Sequence, residues 1–161
     1  VTDRWHTQTL VGGGHVAPEE RGDCVRACVT SILGLPIDSI ANVVAFEDWW
    51  GLLRLEVNRF GFEVAYVDVA FEPPMGYWIA TVPSLNLPPE PDGERAMHCV
   101  VARGYELIHD PACGKRYDAE SWVAAWNAGE VVAGKVLYPI DPAMFFRQRY
   151  VIGFDAERLS A

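Results

Sequence analysis

No stretch of this chain is apolar for long enough to cross a membrane as a helix. The longest uncharged run, residues 73–89, is broken by prolines and polar residues. Basic residues are scarce: 13 Lys and Arg stand against 22 Asp and Glu, for a formal charge of −9. They form no cluster larger than Arg147 and Arg149, which argues against nucleic acid as a general partner. No two of the four cysteines (24, 28, 99 and 113) have the C-x-x-C spacing of a zinc knuckle. Cys24 and Cys28 lie one helical turn apart, where a disulfide would constrain little. The thiols are therefore expected to be free, in a reducing compartment. A basic and then apolar leader is also missing from the polar, charged start, so a cytoplasmic location with no membrane partner is expected. There is no repeat, no low-complexity tract and no linker to divide the chain.

What is present is a globular composition. Half of the 161 residues are hydrophobic and six are tryptophan, enough for one domain over 1–161 with a real core. Apolar residues at 25, 28, 29, 32 and 33 predict a helix over 24–34, with Asp23 as N-cap and Gly34 as stop. A short helix is expected over 38–43 and another over 48–60. Strands are expected over 62–69, 76–82, 98–102, 105–109 and 131–140, and a late helix over 119–127. Residues 83–97 form a proline-rich loop long enough to be the rim of a cleft. The segment 1–21 reads as loose and 144–161 as an undefined tail. Gly12-Gly13-Gly14 lacks the Lys-Ser/Thr of a phosphate loop and reads as a flexible connection. Helices first and an antiparallel sheet after them make the fold class α+β.

The stretch with chemistry in it is Gly22-Asp23-Cys24. A thiol on the first turn of a helix feels unpaired N–H groups and the positive end of the dipole, which favour thiolate. Asp23 opposes this, so a nearby imidazolium has to decide the matter. His98 opens a short apolar strand and Asp110 ends the next one. A hairpin turning at Arg103-Gly104 places positions 98 and 110 side by side, with the Asp accepting from Nδ1 of the ring. Cys24, His98 and Asp110 then have the residue types of a thiol hydrolase. Cys28, one turn deeper, is the alternative nucleophile. A metal site from Cys24, Cys28, His98 and Asp110 is a further possibility, without the paired spacing usual for zinc. Cys99 is expected on the face opposite His98, in the core.

These motifs resemble a known family. Gly22-Asp23-Cys24-Val25-Arg26-Ala27-Cys28, then His98-Cys99-Val100-Val101, then Ile108-His109-Asp110-Pro111, is similar to the papain-like cysteine peptidase fold. The likeness is greatest to the bacteriocin-leader (double-glycine) peptidases and their small phage and bacterial relatives, and runs in order over roughly residues 8–142. It implies Cys24 as nucleophile, His98 as base and Asp110 as its partner, with no cofactor. It also implies an upstream glutamine in the oxyanion hole, a position that Gln8, the only glutamine before Cys24, fills here. The chain differs in the Gly-rich insertion after Gln8 and in Val25, where leader peptidases often carry Gly. The expected activity is cleavage of a peptide or isopeptide bond in a peptide or protein substrate. The alternative is a catalytically silent phage or bacterial accessory protein that kept the fold and binds a partner protein. Nothing in the sequence sets the oligomeric state.

Overall fold

The computed structural model describes residues 5–14, 16–69 and 72–141. Three helices and five strands follow in the order α1 (Cys24–Leu33), α2 (Trp49–Asn58), β1 (Phe62–Val67), β2 (Tyr77–Pro83), β3 (Met97–Arg103), β4 (Glu106–His109), α3 (Ala119–Asn127) and β5 (Ala133–Pro139). The fold is α+β. The strands form one antiparallel sheet in the order β1-β5-β2-β3-β4. β5 is thus inserted between β1 and β2. The expected tail over 144–161 lies outside the described residues.

Strand alternation divides the core between the two faces of the sheet. One face carries Ile79, Val101 and Leu137 and packs against Val25, Val29 and Ile32 of α1 and Leu53 and Val57 of α2. The other carries Trp78, Ala80, Val100 and Ala102 and packs against Trp122 and Ala125 of α3. Trp78 is fully buried and edges against Trp126, while the Trp122 indole donates to Tyr105 O at 2.8 Å. The late helix starts on a capping box, in which Asp118 accepts from Ser121 N and Ser121 Oγ bonds back to Asp118 N. Gly34, at φ 67°, closes α1 as expected.

Three expectations are corrected. No helix covers 38–43; two short 3-10 turns, Ile37–Ser39 and Val43–Ala45, take its place because Pro36 and the packing of Ile40 and Val43 into the core break the run. The described part of 1–21 is not loose. His6 N donates to Ser31 Oγ, Gln8 N to Pro111 O, and Thr9 N and Leu10 N to Asp23. Finally, a bulge between Val101 and Ala102 shifts the β3–β4 register, so that His109 faces Val101 and position 110 does not face 98.

Candidate active site

Asp23 is the first surprise. It was expected to cap α1, yet its side chain makes no cap hydrogen bond. Fully buried, it instead accepts from Thr9 N, Thr9 Oγ1 and Leu10 N and pairs with Arg26. Burial pushes this carboxyl up, but the Leu10 N–H, Arg26 and Thr9 outweigh it and hold it below its ordinary value. Two consequences follow. The first turn of α1 is left without a side-chain cap, and residues 8–10 are pinned beside Cys24.

His98 and Asp110 meet without facing each other in register. The chain turns out of β4 at Asp110, and its Oδ1 lies 2.6 Å from Nε2 of His98. Both side chains are buried. Oδ1 also accepts from Ala112 N at 2.8 Å and Oδ2 from Tyr117 N at 2.7 Å, so the loop 110–117 wraps the carboxylate. Burial raises the Asp110 carboxyl, and the His98 ring with the two N–H groups more than offsets that. An ionised Asp110 fixes the Nε2–H tautomer. The nitrogen left over is Nδ1, the reverse of the sequence expectation.

Cys24, His98, Cys99 and Gln8 line one cavity of about 780 Å³. Its walls are the Gly12–Gly14 segment on one side and the 83–97 loop on the other, through Ser84, Asn86, Glu90 and Arg95. Trp49 lines it too, whereas Trp50 stacks on Tyr66 at 4.0 Å. The glycine run, read as a mere connection, is a wall whose backbone is close-packed. A Cβ on Gly12 would lie 2.1 Å from Glu20 O, and Gly14 N donates to Glu90 Oε1.

The immediate partner of Cys24 is Cys99, not His98: no hydrogen bond joins the Cys24 sulfur to the imidazole among the described residues. Cys99 is buried in the core on the α1 face as expected, but it also lines the cavity and interacts with Cys24. Hydrogen bonding to Cys99, and then burial, push the Cys24 thiol up. The same bond from Cys24 pulls Cys99 down against its burial, helped by the charges of Lys135 and His98 and by the Thr81 hydroxyl. Two thiols sharing one proton titrate as a pair. The helix dipole therefore does not by itself make Cys24 the thiolate in this arrangement. Cys28 is fully buried, its Sγ bonded to Cys99 O at 3.4 Å and its thiol pushed up by burial, so it is part of the core. No group of three side chains suited to a metal converges among the described residues.

Gln8 is buried at the same cavity. Its Nε2 donates to Leu10 O at 2.8 Å, which leaves one amide hydrogen uncommitted, and Oε1 has no partner. His109 points away from Asp110, bonds His6 O at 2.7 Å and stacks on Trp5. Cys113 is exposed. Reasoning from the sequence missed Cys99 as a neighbour of the nucleophile, and it missed Lys135, whose Nζ donates to Thr81 Oγ1 at 2.8 Å on the cavity wall. Both depend on which strands pair, and no local motif announces that. Among the described residues no helix is long and apolar enough to cross a membrane. Compared with protein-family models, curated proteins and solved structures, the chain finds no match.

Proposed function

We propose that the protein is a cysteine hydrolase that cleaves a peptide or isopeptide bond through Cys24, His98 and Asp110, with the papain-like arrangement that its motifs resemble. One observation carries the reading: a thiol on the first turn of a buried helix shares a cavity with an imidazole whose far nitrogen is held at 2.6 Å by a buried carboxylate. In this mechanism the Cys24 side chain rotates from Cys99 toward Nδ1 of His98 and gives up its proton there. The sulfur attacks the carbonyl carbon and its π electrons move onto oxygen. The uncapped N–H groups at the start of α1 and the uncommitted Gln8 amide hydrogen are the donors available to that oxyanion. Collapse expels the amine, which takes the proton from His98, and leaves a thioester. Water, deprotonated by His98, then releases the acid. Asp110 keeps the ring in one tautomer and balances its charge while it holds the proton.

The second reading is a binding protein of the same fold without turnover. It is favoured by the surroundings of Cys24, where hydrogen bonding to Cys99 and burial push the thiol up and away from the thiolate. Alkylation by iodoacetamide near neutral pH, with the modified residue mapped by mass spectrometry, separates the two. The hydrolase reading expects Cys24 to react faster than a simple thiol and His98→Ala to slow it about 10²-fold or more. Reaction at the rate of an ordinary thiol, unaltered by His98→Ala, rejects it.

A further inference from the structure

The chain has only two lysines, and one of them stands inside the cavity. Lys135 lies on β5 opposite Tyr66 and Ile79, which puts it on the α1 face of the sheet beside Thr81 and Cys99. It is 4% exposed. Its ammonium donates to Thr81 Oγ1 at 2.8 Å and stands 5.7 Å from the centre of the Tyr66 ring. Among the described residues no carboxylate lies within ion-pair distance of it. An ammonium has three hydrogens, so a single hydroxyl and a ring face leave donor capacity unspent. A buried cation is costly without an anionic partner. The Cys99 thiol, held low in part by Lys135, offsets some of that cost, but among the described residues the ammonium makes no hydrogen bond to its sulfur.

In the rest of the cavity arginine and carboxylate balance, two against two, so Lys135 gives the lining its sign. Arg21, Arg95 and Lys135 line it against Glu90 and Asp92, in a protein whose formal charge is −9. The Glu90 side chain already holds Gly14 N, and Arg95 pairs with Glu130 at the rim. The deepest charge in the cleft is thus a cation with unspent donors on the same wall as the Cys24–Cys99 pair.

We infer that Lys135 and Thr81 form an anion subsite beside Cys24, which takes a carboxylate of the substrate next to the bond that is cut. The inference rests on the hydrolase reading for its substrate, but the subsite can be tested without turnover. Two alkylating agents of nearly equal size differ in charge: iodoacetate is an anion and iodoacetamide is neutral. Their rate ratio at Cys24 cancels the fraction of thiolate and reports the local field. Relative to the neutral thiol mercaptoethanol, the ratio of iodoacetate to iodoacetamide at Cys24 should be raised about tenfold, and Lys135→Met should remove the preference while Lys135→Arg keeps it. A ratio no higher than that of mercaptoethanol, or one that survives in a folded Lys135→Met protein, overturns the subsite. Slow iodoacetamide labelling would instead count against the hydrolase, so the two failures are distinct.

The unaltered protein gives a second test that does not depend on any variant folding. N-acetylglutamate α-amide carries a side-chain carboxylate, and N-acetylalanine a terminal one. Protection of Cys24 from iodoacetamide by the first alone assigns the subsite to an acidic side chain, and by the second alone to a chain end. Protection by neither, or equal protection by the neutral N-acetylglutamine amide and N-acetylalanine amide, overturns it.

Discussion

Each of the two aspartates at the site is a buried acceptor before it is anything else. Asp23 takes two backbone N–H groups, a hydroxyl and a guanidinium, so removing it takes the acceptor from the Thr9 and Leu10 amides and the main anionic partner from Arg26. Asp23→Ala should destabilise the protein by about 3 kcal/mol at neutral pH, as measured by urea unfolding. The carboxyl is held below its ordinary 3.8 in the fold, so its contribution is complete above that value and is lost as pH falls through the lower, folded one. The gap between the unaltered protein and the variant should therefore narrow below pH of about 4; a gap that widens there contradicts the assignment. Cys99 gives a second test at the same scale. Its hydrogen bond is the first cause of the raised Cys24 thiol, so Cys99→Ala should move the pH midpoint of Cys24 alkylation downward. An unmoved or higher midpoint would mean that the two sulfurs do not share a proton. Cys24, His98 and Asp110 were legible because each sits in a local pattern: a helix start, a strand start, an Asp-Pro stop. Which ring nitrogen Asp110 holds was not, because it depends on how the chain leaving β4 wraps the carboxylate through Ala112 N and Tyr117 N, which no residue type announces.

Elements were legible where periodicity and punctuation agreed. The helices at Cys24–Leu33, Trp49–Asn58 and Ala119–Asn127 each have an apolar face and a terminal Gly, Asp or capping box. The five strands of the described residues were found, but not that β5 pairs with both β1 and β2, since register between distant strands is a tertiary outcome. That pairing carries Lys135 to Thr81 and so into the cavity. The glycine run was misjudged for a related reason: glycine signals either freedom or close approach, and the packing decides which. Here Gly22 N bonds Gly12 O at 3.0 Å and Asp23 N bonds Leu10 O, so the segment is a packed wall. A methyl group on Gly12 meets backbone rather than a yielding side chain. Gly12→Ala should speed hydrogen exchange at the Gly22 amide and slow Cys24 alkylation, with the exchange of the Ile79 and Val101 amides in the sheet unchanged. Unaltered exchange at Gly22 would show that the wall is not held as described.

At the scale of the whole molecule two fields oppose each other. The body carries a formal −9 and repels anions from a distance, whereas in the cleft Glu90 and Asp92 match Arg21 and Arg95 and Lys135 attracts anions at close range. Salt acts on these unequally. The Debye length falls from about 30 Å at 0.01 M to about 3 Å at 1 M, which removes the long-range repulsion but leaves a buried, short-range attraction largely intact. Iodoacetate should therefore alkylate Cys24 severalfold faster as ionic strength rises across that range, while the neutral iodoacetamide changes little. The rise belongs to the surface, so Lys135→Met should show it too from a lower starting rate, and the salt series is run on both proteins. The unaltered protein should remain the faster of the two with iodoacetate at every salt concentration. A rate that falls with added salt would mean that long-range attraction dominates the approach of an anion, and the picture of an acidic body around a cationic cleft would be wrong.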